Sequence, residues 1–222
     1  MHSPVRPLGY YLRMMLVAYA VWAALFIGIG ILTADLPGYD LRIGLDHAIP
    51  LWEWTVWIYS FCYIIPVFAV LAVQDGHRLN RLLVAVFVST LSAAVVYAAV
   101  PVIYPYPEIA DTVSGRFLAW QVALDFEPGG NKLPSLHVAN AFLVWLAVRS
   151  RGRAWSWALL AAAVIISAST LTTKRHLVGD VVLGTAWAFW AWWASGILHR
   201  RWFDRGVPGR ESLLKRVGML RS

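Results

Sequence analysis

The chain has 222 residues, 59% of them hydrophobic and only 14% charged, with a mean hydropathy of +0.61. A soluble domain of this length would carry about a quarter charged residues, so an ordinary soluble fold is excluded. The net charge of +7 would suit nucleic acid or anionic lipid, but the basic residues fall in short loops and the tail of an apolar chain, so membrane topology accounts for them and no nucleic-acid partner is expected.

In chain order the apolar stretches are residues 14–33, 54–73, 82–103, 136–148, 155–171 and 178–198. Most approach the roughly 20 residues that cross the hydrocarbon core. The expected fold is therefore all-α, a polytopic bundle of about six transmembrane helices. The first stretch follows Arg6 and Arg13 without a small-residue cleavage site, so it reads as a retained helix. The fourth is short and is expected to borrow length from Pro134 and Arg149. Trp52, Trp54, Trp57, Trp120 and Trp155 sit near the ends of apolar runs, as interfacial anchors do. Trp187, Trp190, Trp192 and Trp193 fall inside the last span, where lipid contact and packing explain them. Cys62 is the one cysteine. It rules out an internal disulfide and a cysteine zinc site, and reads as a packed small hydrophobe.

Charge gives the orientation. Arg6, Arg13, Arg78, Arg81, Arg149, Arg151, Arg153 and the basic residues of the 200–222 tail fall on one side of the six spans. Arg42, Arg116, Lys132, Lys174 and Arg175 fall on the other, with most of the acids. Both termini are therefore expected in the cytoplasm, with the first, third and fifth loops facing out. The expected home is a bacterial cytoplasmic (inner) membrane, with those loops on the periplasmic side. The whole chain, 1–222, reads as one domain without repeats. The third loop, 104–133, is the longest and is rich in Pro and Gly; loops of that length are often functional. The tail carries Leu213, Leu214, Val217 and Leu220 among basic residues. It reads either as a short helix on the inner leaflet or as a solvated basic tail.

Two segments carry chemistry. One is Pro134-Ser135-Leu136-His137, at the start of the fourth span. The other runs from Ser169-Thr170 through Lys174-Arg175-His176 to Asp180, between the fifth and sixth spans. His176 and Asp180 are four apart at a helix start, so they share a face. The carboxylate can accept from one ring nitrogen, fixing the tautomer and strengthening the other nitrogen as a nucleophile. Lys174 and Arg175 could hold a phosphate. His137 could protonate a leaving oxygen. Ser135 and the first turn of the fourth helix offer an anion a hydroxyl and free N–H groups. Asn131 and Lys132 directly precede this segment as possible substrate contacts. Asp46 reads as an ordering residue of the first outer loop, with His47 beside it.

These motifs, in this order and on these spans, resemble the type 2 phosphatidic acid phosphatase superfamily. The similarity is greatest to the branch of inositol phosphorylceramide synthases and related bacterial phosphotransferases. Leu45-Asp46-His47-Ala48-Ile49-Pro50, Ile58-Tyr59 and Tyr63-Ile64-Ile65-Pro66 add to it, and it covers about 45–184. The resemblance implies that His176 attacks phosphorus to form a phosphohistidine, that Asp180 orients it and that His137 protonates the leaving group, with no metal or other cofactor. It implies a hydrolase or transferase of lipid metabolism whose substrate is a membrane lipid phosphate. Two departures stand out. Ser169-Thr170 replaces the common Ser-Arg, so Lys174 or Arg175 is expected to supply the charge. The upstream cationic element is absent in recognisable form, and 104–116 takes its place with Arg116 as its cation.

Hydrolysis of a lipid phosphate is the leading expectation. The alternatives are transfer of a phospho-head group to an alcohol acceptor, as in inositol phosphorylceramide or sphingomyelin synthases, and a non-enzymatic transporter or scaffold with a degenerate site. A zinc hydrolase built on His137, His176 and Asp180 is disfavoured, because Lys174 and Arg175 would repel a cation. The sequence leaves the oligomeric state open.

Overall fold

A computed structural model describes residues 8–33, 35–73, 76–124 and 130–199. The 200–222 tail and the Arg6 flank lie outside the described residues. Nine α-helices are described: α1 (Leu8–Thr33), α2 (Gly44–Ala48), α3 (Val56–Ser60), α4 (Ile65–Ala72), α5 (Gly76–Ala99), α6 (Val113–Ala123), α7 (Leu136–Val148), α8 (Arg153–Thr172) and α9 (Val178–His199). The architecture is an all-α polytopic bundle. Among the described residues five segments are long and apolar enough to cross a membrane: Gly9–Thr33, Glu53–Ala72, Gly76–Ala99, Arg153–Thr172 and Val178–His199. Many of their large apolar side chains are exposed, Leu32, Leu71, Val95 and Trp193 among them, as lipid-facing residues would be.

α7 is the exception in length. Its 13 residues rise roughly 20 Å, against a hydrocarbon core of roughly 30 Å. Pro134 and Arg149 do not lengthen it: Ser135 is its N-cap and Arg149 its C-cap. It needs no extra length because it sits at the centre. Leu143, Val144, Leu146, Ala147 and Val148 are all but fully buried, and α4, α5, α8 and α9 pack around it. Protein, rather than lipid, meets its ends. Arg78 Nη1 reaches Ala147 O at 3.5 Å near its C-terminus, and Arg151 donates to Ala72 O at the end of α4. Cations at helix C-termini satisfy terminal carbonyls and complement the dipole.

Three expectations about boundaries change. The second span is not one helix but 3-10 turns at Glu53–Thr55 and Phe61–Tyr63 joined to α3 and α4. Pro66 lies in the first turn of α4; it has no N–H, and its ring would clash with the carbonyl four residues back in a continuous helix. The third span starts earlier than expected and stops at Ala99, because Pro101 steers Val100 away from the α region. There Tyr39 and Val102 form a lone parallel bridge. Finally, the long third loop contains α6. Thr112 caps it by accepting Gly115 N–H at 2.9 Å. Its Leu118 and Val122 bury against Val56 of α3, and Phe117 stacks on Trp57 with centroids 4.6 Å apart.

The central α7–α9 contact depends on small residues. Gly184, Ala188, Ala191 and Ser195 form one buried stripe of α9, a spacing that lets helices approach closely. A Cβ at Gly184 would lie 2.5 Å from Ser135 O. Ser135 N–H also donates to Asp180 O at 3.1 Å, and Tyr97 of α5 donates to Pro134 O at 2.7 Å. The starts of α7 and α9 are thus pinned side by side, and each start carries one of the histidine motifs.

Candidate active site

α8 ends in a tight reversal that aims His176. Lys174 N–H donates to Leu171 O and Arg175 N–H to Thr170 O, each at 3.1 Å. This is the Schellman pattern, with Lys174 at its left-handed position, φ 55°. A side chain there costs about 1–2 kcal/mol relative to glycine. Lys174 compensates by donating Nζ to Asp46 O at 2.7 Å and to Ile49 O. Burial lowers its pKa from the usual lysine value, while the Asp46 carboxylate acts in the opposite direction. Tyr104 and Tyr106 donate to the carbonyls of Lys174 and Thr173. Burial pushes the Tyr104 phenol well above its ordinary pKa, with Asp180 adding to the rise.

Two carboxylates fix the start of α9. Asp180 Oδ2 accepts Leu177 N–H at 2.9 Å, and Asp46 Oδ1 accepts Val178 N–H at 2.7 Å. Asp46 Oδ2 takes Ile43 N–H at 2.9 Å, so Asp46 orders the first loop and the helix start together. His176 therefore lies in the turn just before α9, not inside it. Its Nδ1 is 3.3 Å from Asp180 Oδ2, and both side chains are almost fully buried.

His176 Nε2 lies 3.3 Å from His137 Nδ1. His137 Nε2 is 2.7 Å from the Tyr59 hydroxyl and 3.1 Å from that of Tyr63. One proton arrangement satisfies the whole line: tyrosine O–H to His137 Nε2, His137 Nδ1–H to His176 Nε2, and His176 Nδ1–H to Asp180. In that arrangement His176 presents a lone pair on Nε2, opposite the proton on His137 Nδ1.

A small cavity sits over this pair, bordered by Phe26, Tyr59, Asn131, Lys132, His137, Arg175 and His176. Asn131 is held by donating to Phe26 O at 2.8 Å. Lys132 Nζ lies 4.3 Å from the Tyr104 ring centre, and Arg175 Cζ lies 5.5 Å from that of Tyr59. The cavity shares His176 with a basin of about 550 Å³ that also contacts Arg42, His47, Lys174 and Tyr106. It shares His137 with an apolar cleft among α1, α4, α5 and α7.

Of the residues picked from sequence, the structure gathers His137, His176, Asp180, Arg175 and Lys132 around one cavity or its supporting line. It sends three elsewhere. The Lys174 ammonium lies on loop carbonyls. Ser135 is fully buried, its Oγ capping α7 through Val138 N–H at 3.4 Å. Arg116 is exposed on α6, 3.3 Å from Asp111, and borders neither the cavity nor the basin. Tyr59 and Tyr63, which the sequence offered only as part of the family resemblance and without a site role, join the site; their four-residue spacing on an apolar span places them on one face. Among the described residues no three His, Cys, Asp or Glu side chains converge as a metal site requires.

A family model described as the PAP2 superfamily matches residues 41–194, which span α2 to most of α9. The chain belongs to the PAP2 superfamily. Members are phosphoesterases or phosphotransferases in general, and that general activity class extends to this chain. In PAP2 terms the matched segment contains every residue of the histidine line and leaves out α1, where Phe26 meets the cavity. Neither a curated protein nor a solved structure matches the chain.

Proposed function

We propose that this PAP2 protein hydrolyses a membrane lipid phosphate through a phosphohistidine on His176. The observation that carries the reading is the opposition of His176 Nε2 and His137 Nδ1 at 3.3 Å, with Asp180 on the far nitrogen of His176. The entering phosphoryl group separates the two rings. The Nε2 lone pair of His176 forms the N–P bond, the P–O bond to the lipid breaks, and His137, doubly protonated once the phosphate is bound and with a tyrosine oxygen accepting its Nε2–H, delivers the Nδ1 proton to the departing oxygen and is left a neutral imidazole. Water then attacks phosphorus, gives a proton back to His137, and releases phosphate as the N–P bond breaks. Arg175 and Lys132 hold the phosphoryl oxygens. Asp180 is the positioning residue that stabilises His176 as it gains positive charge. The charge bias supports a site on the outward face, with both termini cytoplasmic.

Purified protein is incubated with phosphatidic acid, undecaprenyl diphosphate and a diacyl phospholipid, each labelled at phosphorus. The expected result is free phosphate and an acid-labile label on His176 with at least one of them. Both are lost in His176→Ala. Activity unchanged by that substitution would sink the reading and leave a transporter or scaffold.

One observation favours a second reading. A water occupies only about 30 Å³, yet the basin touching His176 holds about 550 Å³, within the range of small-molecule sites. An alcohol acceptor seated there would receive the phospho-head group in place of water. This is the chemistry of the inositol phosphorylceramide synthase-like branch. A new head-group lipid formed only when an alcohol is supplied would establish it; free phosphate without an acceptor would favour hydrolysis.

A further inference from the structure

Asn131 borders the cavity over the histidine pair with one half of its amide engaged and the other unmet. Its Nδ2 donates to Phe26 O of α1 at 2.8 Å. Its Oδ1 is buried and makes no hydrogen bond, and the residue is only 7% exposed. The amide is held in this sense, because a flipped group would set an acceptor against the Phe26 carbonyl. The backbone beside it is pinned as well. Gly130 O accepts from Val102 N–H at 3.3 Å and from Lys132 N–H at 3.0 Å, and a Cβ at Gly130 would lie 2.9 Å from the Pro101 ring.

A buried acceptor without a donor is costly. Since Asn131 borders the cavity, the group that relieves the cost is one the cavity admits, and it must carry an O–H or N–H. A bound lipid phosphate brings none at phosphorus. Lys132 and Arg175 border the same cavity, and cations nearby favour the fully ionised phosphate, whose oxygens only accept. The molecule that arrives after the lipid has left does bring a donor. Water attacking the phosphohistidine has two O–H bonds, and only one of them goes to His137 Nδ1. Among the described side chains bordering the cavity, Lys132 and Arg175 only donate and Tyr59 is engaged at His137 Nε2. The Asn131 oxygen is left to accept the second O–H.

We propose, resting on the phosphohistidine reading of this site, that Asn131 Oδ1 holds the attacking water and makes the second step selective for water over alcohols. In that step the water oxygen bonds to phosphorus, the N–P bond breaks and its electron pair returns to His176 Nε2. One water proton passes to His137 Nδ1. The other stays on the product as P–OH, held by Asn131. An alcohol gives its single proton to His137 and turns carbon toward Asn131, so the amide oxygen stays unmet. The basin beside His176 has room for an alcohol, but an attack from it lacks this hydrogen bond. Asn131 is thus a specificity-determining residue between hydrolysis and transfer.

The full chain in detergent is given phosphatidic acid labelled at phosphorus, in water containing methanol, and labelled methyl phosphate and free phosphate are separated and counted. Phosphoimidazole cleaved in the same mixture gives the partition of an N–P bond without a protein. The unaltered chain is expected to form about tenfold less methyl phosphate, relative to phosphate, than phosphoimidazole does, the scale of one hydrogen bond. Asn131→Leu, which nearly keeps the volume and removes the acceptor, should raise the chain's ratio about tenfold, to that of phosphoimidazole. Both products leave one intermediate, so the ratio does not depend on how much of the variant folds. An unaltered chain that partitions as phosphoimidazole does would overturn the proposal without any variant. A ratio unmoved by Asn131→Leu would overturn it too; a KM raised by that substitution only at low pH would then assign the oxygen to a protonated phosphate. No labelled product from phosphatidic acid, undecaprenyl diphosphate or a diacyl phospholipid would sink the phosphohistidine reading and this inference with it. Turnover with an unselective partition would sink this inference alone.

Discussion

At the residue scale, His137 meets two hydroxyls at Nε2 and one imidazole, that of His176, at Nδ1. The tyrosines hold the ring with Nδ1 turned to the reacting space, where a departing oxygen must pass. If that nitrogen is the general acid, the need for it depends on the leaving group. His137→Asn should cut hydrolysis of an alkyl lipid phosphate by about 10²–10⁴-fold, the usual contribution of a positioned acid. The loss should shrink to about tenfold with a p-nitrophenyl phosphate ester, whose phenolate departs without a proton. Equal losses on both substrates would show that His137 only holds His176 in place. The residue scale is also where sequence reading was most uneven. The His176–Asp180 pairing was legible from its spacing, although His176 lies in the turn before α9 and Asp180, in the first turn, reaches back to it. Lys174 resembled a phosphate ligand, since a lysine beside a histidine says nothing of its φ. Only the left-handed backbone at 174 turns that ammonium toward the carbonyls of Asp46 and Ile49.

At the element scale, the candidate site is a product of how closely α7 and α9 approach. Gly184 is the point of contact: any Cβ there meets the backbone oxygen of Ser135 at 2.5 Å, and a backbone atom cannot rotate away. Gly184→Ala should push α9 from the start of α7, stretching the Ser135–Asp180 backbone bond and with it the His137–His176 opposition. We expect a stability loss of about 1–3 kcal/mol, as for other overpacked positions, and a fall in phosphate release of more than tenfold. Gly196→Ala is the control. Its Cβ would meet the end of the Arg81 side chain, which can shift, so activity should stay near that of the unaltered chain. Thermal unfolding in detergent and phosphate release measure the two effects, and a Gly184→Ala chain with undiminished release would contradict the argument. Hydropathy revealed the long spans because lipid demands long apolar helices. It missed α6, which buries only one narrow face against α3 and stands among prolines that read as loop. It also read the second span as continuous, although Pro66 is visible in the sequence. Tyr59 and Tyr63, both on the N-terminal side of that proline, keep their four-residue spacing and reach the same histidine nitrogen.

At the scale of the whole molecule, the bundle has two chemically distinct ends. One gathers the histidines, the cationic cavity and the basin. The other gathers Arg78, Arg81 and Arg151, which donate to helix carbonyls. Arg81 also lies 4.1 Å from the Trp192 ring centre. These arginines serve packing and sidedness together, since a guanidinium that caps a helix end is also a charge that resists crossing the membrane. The charge bias uses neither histidine, so it is an independent argument for which way the site faces. It predicts that Asp111, highly exposed beside α6, and Arg153, at the start of α8, lie on opposite sides. In a Cys62→Ala background, Asp111→Cys should react with a membrane-impermeant maleimide in intact cells, and Arg153→Cys only after permeabilisation. The reverse pattern would place the histidine pair on the cytoplasmic face, where the lipid phosphates on offer and the route of released phosphate both differ. Labelling of both in intact cells would mean that the arginine end does not resist translocation, and the orientation would then have to rest on something other than charge.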